Sequence, residues 1–126
     1  MEEEKTILLV DDDLTLREMY EERMKAEGFN IIQATNGEEA LKRARESKPH
    51  VILLDIMMPK VNGFDVLKEL KSDPELKDIP VIVLTALIQD VDRVQGKKLG
   101  AADYIVKSET MPGEVIAKIK NAVGGK

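Results

Sequence analysis

Short apolar runs recur five times along the chain, and each is followed by a stretch with helical spacing. The runs are Ile7–Val10, Asn30–Ala34, Val51–Leu54, Val81–Leu84 and Tyr104–Val106. Three of them are unbroken Val, Ile and Leu, the pattern of strands covered on both faces. Between them, Leu14–Ala26 is expected to be helical, with Leu16, Met19, Tyr20 and Met24 on one stripe and Gly28 as its stop. Further helices are expected at Gly37–Ser47, halted by Pro49, at Phe64–Lys71, and at Gln89–Leu99 before Gly100. A fifth is expected at Pro112–Val123, where Pro112 suits the first helical position. The segment "SDPELKDIP" reads as a loop. Five strand–helix units predict an α/β fold, an open, doubly wound parallel five-stranded sheet with right-handed crossovers and helices on both faces. One domain is expected over residues 1–126, with 1–4 and 124–126 as frayed tails.

Composition narrows the function classes. The chain has 126 residues, 43% of them hydrophobic, enough for one globular core. It carries 24 acidic against 19 basic residues, a net charge of -5. That balance, with no basic run and only two Phe and two Tyr, argues against a direct nucleic-acid partner. Cysteine is absent, which excludes disulfides, thiolate nucleophiles and cysteine metal sites. No apolar run approaches the ~18 residues of a membrane span, and "MEEEK" is no secretory signal. A soluble cytoplasmic protein without membrane insertion is expected.

The chemistry lies at one edge. In doubly wound sheets, ligands bind beyond the carboxyl ends of the strands, near the switch in strand order. The first strand runs into Asp11, Asp12 and Asp13; the third into Asp55; the fourth into Thr85 and Ala86; the fifth into Lys107. Strand 2 runs into "ATNG", whose chemistry is less distinctive. Like charges this close repel, so a cation is expected among them. Carboxylate oxygens at this density suit Mg²⁺, or Mn²⁺ as a second hard divalent ion. With a metal bound, an aspartate can attack a phosphoryl group, while a lysine and a threonine hydroxyl stabilise its oxygens. Taken singly, each residue has a plainer role. Asp13 suits a helix N-cap, Thr85 a strand end, and Lys107 an ordinary surface lysine. Their joint placement is what points to a site. His50, the only histidine, precedes the third strand at the opposite edge and is expected to be a loop residue.

The segments "ILLVDDD", "VILLDIMMPKVNGFDVL", "VIVLTA" and "GAADYIVK", in that order, closely resemble the receiver domain of two-component response regulators, over essentially the whole chain. The resemblance implies a (βα)5 flavodoxin-like fold with strand order 2-1-3-4-5; a stand-alone, single-domain member of the family is expected, with a receiver domain cut from a longer chain as the alternative. It implies that Asp55 is the phosphoacceptor. Asp12 and Asp55 would ligate Mg²⁺ with the Met57 backbone carbonyl, and Asp11 would contribute largely through water. Lys107 would pair with the acidic cluster and then with the phosphoryl group, and Thr85 and Tyr104 would form a switch pair. The phosphoryl donor would be a phosphohistidine on a sensor histidine kinase or histidine phosphotransfer protein. An unidentified downstream protein would read the face built from the fourth helix, fifth strand and fifth helix. The sequence departs from the family where Ser108 follows Lys107. The family usually has a proline there with a cis bond, and a cis bond to a non-proline residue costs ~2.5–4 kcal/mol.

A rival reading is a haloacid dehalogenase-like phosphatase. "ILLVDDDLT" resembles its strand-then-DxDxT signature, with Asp11 as nucleophile, Asp13 as acid/base and Thr15 in support. That family's last acidic motif is missing after Lys107, and "LLDIMMP" would go unused.

Met57 and Leu87 lie two residues past Asp55 and Thr85, where family side chains influence the access of hydrolytic water. Both are apolar and cannot orient a water by hydrogen bonding, so slow autodephosphorylation is expected. Polar replacements at both positions should shorten the phosphoryl lifetime in a ³²P decay assay, and an unchanged lifetime would count against the assignment.

Overall fold

The computed structural model describes residues 5–58, 61–85, 94–95, 97–106 and 112–124. Its elements run β1 (Thr6–Val10), α1 (Leu14–Ala26), β2 (Asn30–Ala34), α2 (Gly37–Ser47), β3 (Val51–Asp55), β4 (Met57–Met58), β5 (Val61–Asn62), α3 (Gly63–Ser72), β6 (Val81–Thr85), β7 (Asp103–Val106) and α4 (Pro112–Gly124). Five strands form one sheet in the order β2-β1-β3-β6-β7, with every neighbouring pair parallel. Numbered within that sheet the order is 2-1-3-4-5, the doubly wound arrangement expected from the sequence. The short strands β4 and β5 pair antiparallel in a separate ribbon, which the hydrophobic pattern does not announce because two residues carry no periodicity.

Of the expected helix at Gln89–Leu99, residues 94–95 and 97–98 are helical. Leu99 N–H donates to the Gln95 carbonyl at 3.0 Å, and Gly100, at φ +99°, ends the turn. The remainder of that helix lies outside the described residues. Helix α1 ends as expected, with Gly28 at φ +94° just past its cap residue Glu27. The apolar stripe of this helix is covered only in part. Tyr20 and Met24 are buried, but Met19 is 44% exposed. Tyr20 and Met24 are spaced i, i+4 and share a face, while Met19 precedes Tyr20 by one residue and is turned about 100° away.

Period-2 alternation splits the core in two. Leu8, Val10, Ile52, Leu54, Val81 and Val83 face α2 and α3, packing on Ala40, Ala44, Phe64, Leu67 and Leu70. Ile7, Leu9, Val51, Leu53, Ile82, Leu84 and Ile105 face α1 and α4, packing on Tyr20, Met24, Val115, Ile116 and Ile119. The central strands are therefore apolar on both sides, which explains their unbroken hydrophobic runs. β3 and β6 each extend one residue beyond the expected run, to Asp55 and Thr85. Those two polar side chains are thus the last members of strands, and the pleat fixes their directions.

The edge opposite the carboxyl ends is laced together. Ion pairs join Arg45 to Asp73 at 3.3 Å, Lys48 to Glu75 at 3.4 Å, Lys118 to Asp103 at 2.9 Å and Lys120 to Glu27 at 3.0 Å. His50 belongs to the same edge, accepting the Thr6 N–H at Nδ1 at 3.0 Å. Each exposed pair contributes little by itself, because solvent and salt screen it. Lys71 does more. Its ammonium donates to the carbonyls of Lys77 at 3.0 Å and Ile79 at 2.8 Å, tying the end of α3 to the loop before β6. Burial pushes the Lys71 pKa below 10.5, with nearby Asp78 opposing the shift.

Replacing Lys71 by Met removes both bonds and should lower the unfolding free energy by about 1–3 kcal/mol in a urea titration at neutral pH. The folded state releases the Lys71 proton before the unfolded state does. Wild-type stability should therefore gain on Lys71→Met as the pH climbs toward 10.5. A gap that stays constant or narrows over that range would contradict the assignment.

Candidate functional site

The strand order reverses between β1 and β3, and the carboxyl ends of these neighbours open the crevice where doubly wound sheets bind ligands. Beyond β1, the Asp11 N–H donates to the Ala34 carbonyl at 3.2 Å, continuing the ladder with β2 for one more residue. The chain then turns, and the Asp13 N–H donates to Asp11 Oδ1 at 3.0 Å. Asp13 caps α1, its Oδ1 accepting the Leu16 N–H at 3.2 Å. The third consecutive aspartate thus serves the helix, leaving Asp11 and Asp12 for the crevice.

Asp55 closes β3 opposite Leu84 of β6. The next residue is held twice, since Ile56 N–H donates to the Leu84 carbonyl and its own carbonyl accepts from Gly63 N–H, both at 3.2 Å. Asn62 caps α3 by accepting the Phe64 N–H at 2.9 Å. The start of α3 is therefore pressed against the Asp55–Ile56 backbone. A Cβ at Gly63 would overlap Ile56 Cα and come within 2.7 Å of the Asp55 carbonyl oxygen. Only glycine fits there.

These constraints bring Asp11, Asp12 and Asp55 together, each offering one carboxylate oxygen, with the oxygens all within 4.8 Å of one another. Asp11 is 0% and Asp55 2% exposed, while Asp12 is open to solvent. Carboxylate oxygens this close to one another attract positive charge. A cluster of hard oxygen donors, part buried and part open, fits a small divalent cation that keeps some of its water.

Thr85 ends β6 fully buried. By alternation it shares the α2/α3 face with Val83, and Tyr104, which stands opposite Val83 in β7, shares that face as well. Tyr104 is partly buried and packs against the α2/α3 core. Met57 begins β4 opposite Asn62, two residues beyond Asp55. Lys107, Ser108 and Leu87 lie outside the described residues. Sequence reasoning did not single out Arg17, Gln33 or Gly63. Arg17 Nη1 donates to the Asp11 carbonyl at 2.9 Å and Nε to Gln33 Oε1 at 3.0 Å. Along the chain Arg17 is one more charge on an amphipathic helix, and only its spacing to the aspartates hints at a contact.

A doubly wound α/β domain with an acidic cation-type cluster at its switch point is the class this fold and site define. The chain belongs to the response regulator receiver domain family, whose model matches residues 7–120. It is 41% identical to a probable transcriptional regulator, ycf27, of Guillardia theta, over 95% of this chain and 46% of that protein. The chain thus spans about half the length of the first curated relatives it matches. It is also 41% identical to protein PilH of Pseudomonas aeruginosa, over 93% of this chain and 95% of that one. Among solved structures it is similar to the phosphorylated cyanobacterial phytochrome response regulator RcpA. That likeness has a TM-score of 0.82 and 32% identity, and covers 94% of this chain and 93% of that one.

Gly63→Ala should push the start of α3 away from the Asp55–Ile56 backbone. The expected result is a loss of about 1–3 kcal/mol in stability, with weaker divalent-cation binding at the acidic cluster measured by NMR titration. Wild-type stability together with wild-type cation affinity would show that the backbone accommodates the methyl group without consequence.

Proposed function

We propose that this receiver domain is a signalling switch driven by phosphorylation of Asp55, acting as one unit over the chain. The observation that carries the reading is the convergence of Asp11, Asp12 and Asp55 within 4.8 Å at the carboxyl edge of the sheet. A carboxylate oxygen of Asp55 attacks the phosphorus of a phosphohistidine on a sensor kinase or phosphotransfer protein. The P–O bond forms as the P–N bond breaks, and the electron pair returns to the imidazole nitrogen, which takes up a proton. Asp11, Asp12, Asp55 and the Met57 carbonyl would hold Mg²⁺. When bound, the ion neutralises charge on the phosphoryl oxygens. Lys107 would add a second positive charge and Thr85 a hydroxyl donor.

The same step supplies the switch. An aspartyl phosphate adds charge and strong acceptor oxygens to a buried edge. Thr85 would be drawn toward them, and the Tyr104 ring on the same face would take up the space released. That biases two packings of the surface around residues 94–95 and 97–99, β7 and α4, which a downstream protein would read in the cytoplasm. The similarity to a phosphorylated response regulator supports this reading. The phosphatase alternative loses support because Asp13, its acid/base, is engaged as a helix cap while Asp55 completes the cluster.

Incubating the protein with acetyl phosphate and Mg²⁺ should add one phosphoryl group in intact-mass spectra. Asp55→Asn, or chelation with EDTA, should reduce that uptake to background. Undiminished uptake by Asp55→Asn would overturn the assignment of the phosphoacceptor.

A further inference from the structure

Each polar group of the Asp11 backbone has a partner. Its N–H is bonded to the Ala34 carbonyl at 3.2 Å, a contact that continues the β1–β2 ladder whatever the side chains. Its carbonyl is bonded to a side chain from another element, Arg17 of α1, at 2.9 Å. The second arm of the same guanidinium reaches Gln33 of β2 at 3.0 Å. A planar guanidinium holds its donors in a fixed fork, so the two acceptors are locked in relative position. Gln33 neighbours Ala34, whose carbonyl holds the Asp11 N–H. Arg17 thus closes a frame in which β2 grips both sides of the Asp11 backbone.

The Asp11 carbonyl belongs to the peptide plane that leads into Asp12, so fixing it fixes the direction from which Asp12 leaves the turn. We propose that Arg17 is a positioning residue for the acidic cluster, setting the angle at which Asp11 and Asp12 face Asp55. This inference rests on the cation-dependent reading above. It differs from a plain electrostatic role in sign. A guanidinium acting only through its charge repels a nearby cation, so its removal would tighten cation binding. A guanidinium acting through the turn makes its removal weaken binding, as loss of an outer-shell partner does.

Mg²⁺ titrations of the ¹⁵N-labelled full chain, followed by amide NMR shifts, separate the two. Arg17→Ala is expected to bind Mg²⁺ about tenfold more weakly than wild type. Arg17→Lys should fall between them, because an ammonium can reach the Asp11 carbonyl but cannot span both acceptors. Lys71→Met, destabilised at the opposite edge, should keep wild-type affinity. Arg17→Ala binding as tightly as wild type or tighter overturns the proposal, as does equal weakening in Lys71→Met. If Arg17→Ala does not fold, the Arg17→Lys comparison decides in the same way. Acetyl phosphate labelling run in parallel distinguishes the failures. A wild type that neither binds Mg²⁺ nor takes up phosphoryl removes the proposed function and this inference together. A wild type that does both, with unaltered Arg17 variants, removes this inference alone.

Discussion

The close approach of Asp11, Asp12 and Asp55 is the constraint around which the rest of this domain is arranged. Removing carboxylates from water costs several kcal/mol per ion unless something offsets it, and here two of the three are buried. β1 and β3 lie side by side although 40 or more residues separate their aspartates in the chain, so the sheet's pairing imposes the encounter. What sustains it is the core beneath. Both faces of the central strands are packed with Ile, Leu and Val. A cation held there, as proposed above, would offset part of the clustered charge and so link occupancy of the crevice to the stability of the whole sheet.

The acidic edge draws on both layers of the molecule. Asp55 continues the alternation of Val51 and Leu53 and so lies on the α1/α4 side, whereas Thr85 continues Val81 and Val83 on the α2/α3 side. A change of charge at the edge is therefore felt by two separately packed cores rather than one. Close-packed interiors answer such a change by moving between discrete arrangements rather than by yielding gradually. An α/β sandwich of this kind suits a switch for that reason.

Much of this was legible in the sequence because the informative signals are local and strong. Unbroken runs such as Val51–Leu54 define buried strands, and a polar residue immediately after each marks the carboxyl edge. Gly28 and Gly100 end their helices as expected, both at positive φ. The placement of Asp13 as a cap, apart from Asp11 and Asp12, followed from capping chemistry alone. What escaped was whatever depends on long-range fit. Gly63 matters because α3 begins against the Ile56 backbone, and no local pattern encodes that distance. Arg17 looks like a surface charge until β2 is placed beside β1 and Gln33 meets it. Met19 belongs to the apolar stripe of α1 and is still 44% exposed, because periodicity counts apolar residues without knowing how wide the covered face is.

The ion pairs that join Arg45 to Asp73, Lys48 to Glu75, Lys118 to Asp103 and Lys120 to Glu27 lie at the edge remote from the aspartates. Substitutions separated by more than ~7–10 Å with no shared partner act additively on free energy. The two ends of this sheet are therefore open to independent revision. Robustness can drift at one end, through gain or loss of fastenings, while the other end retains its chemistry unaltered. A lineage could adapt such a domain to a hotter or saltier habitat without renegotiating the signal it carries.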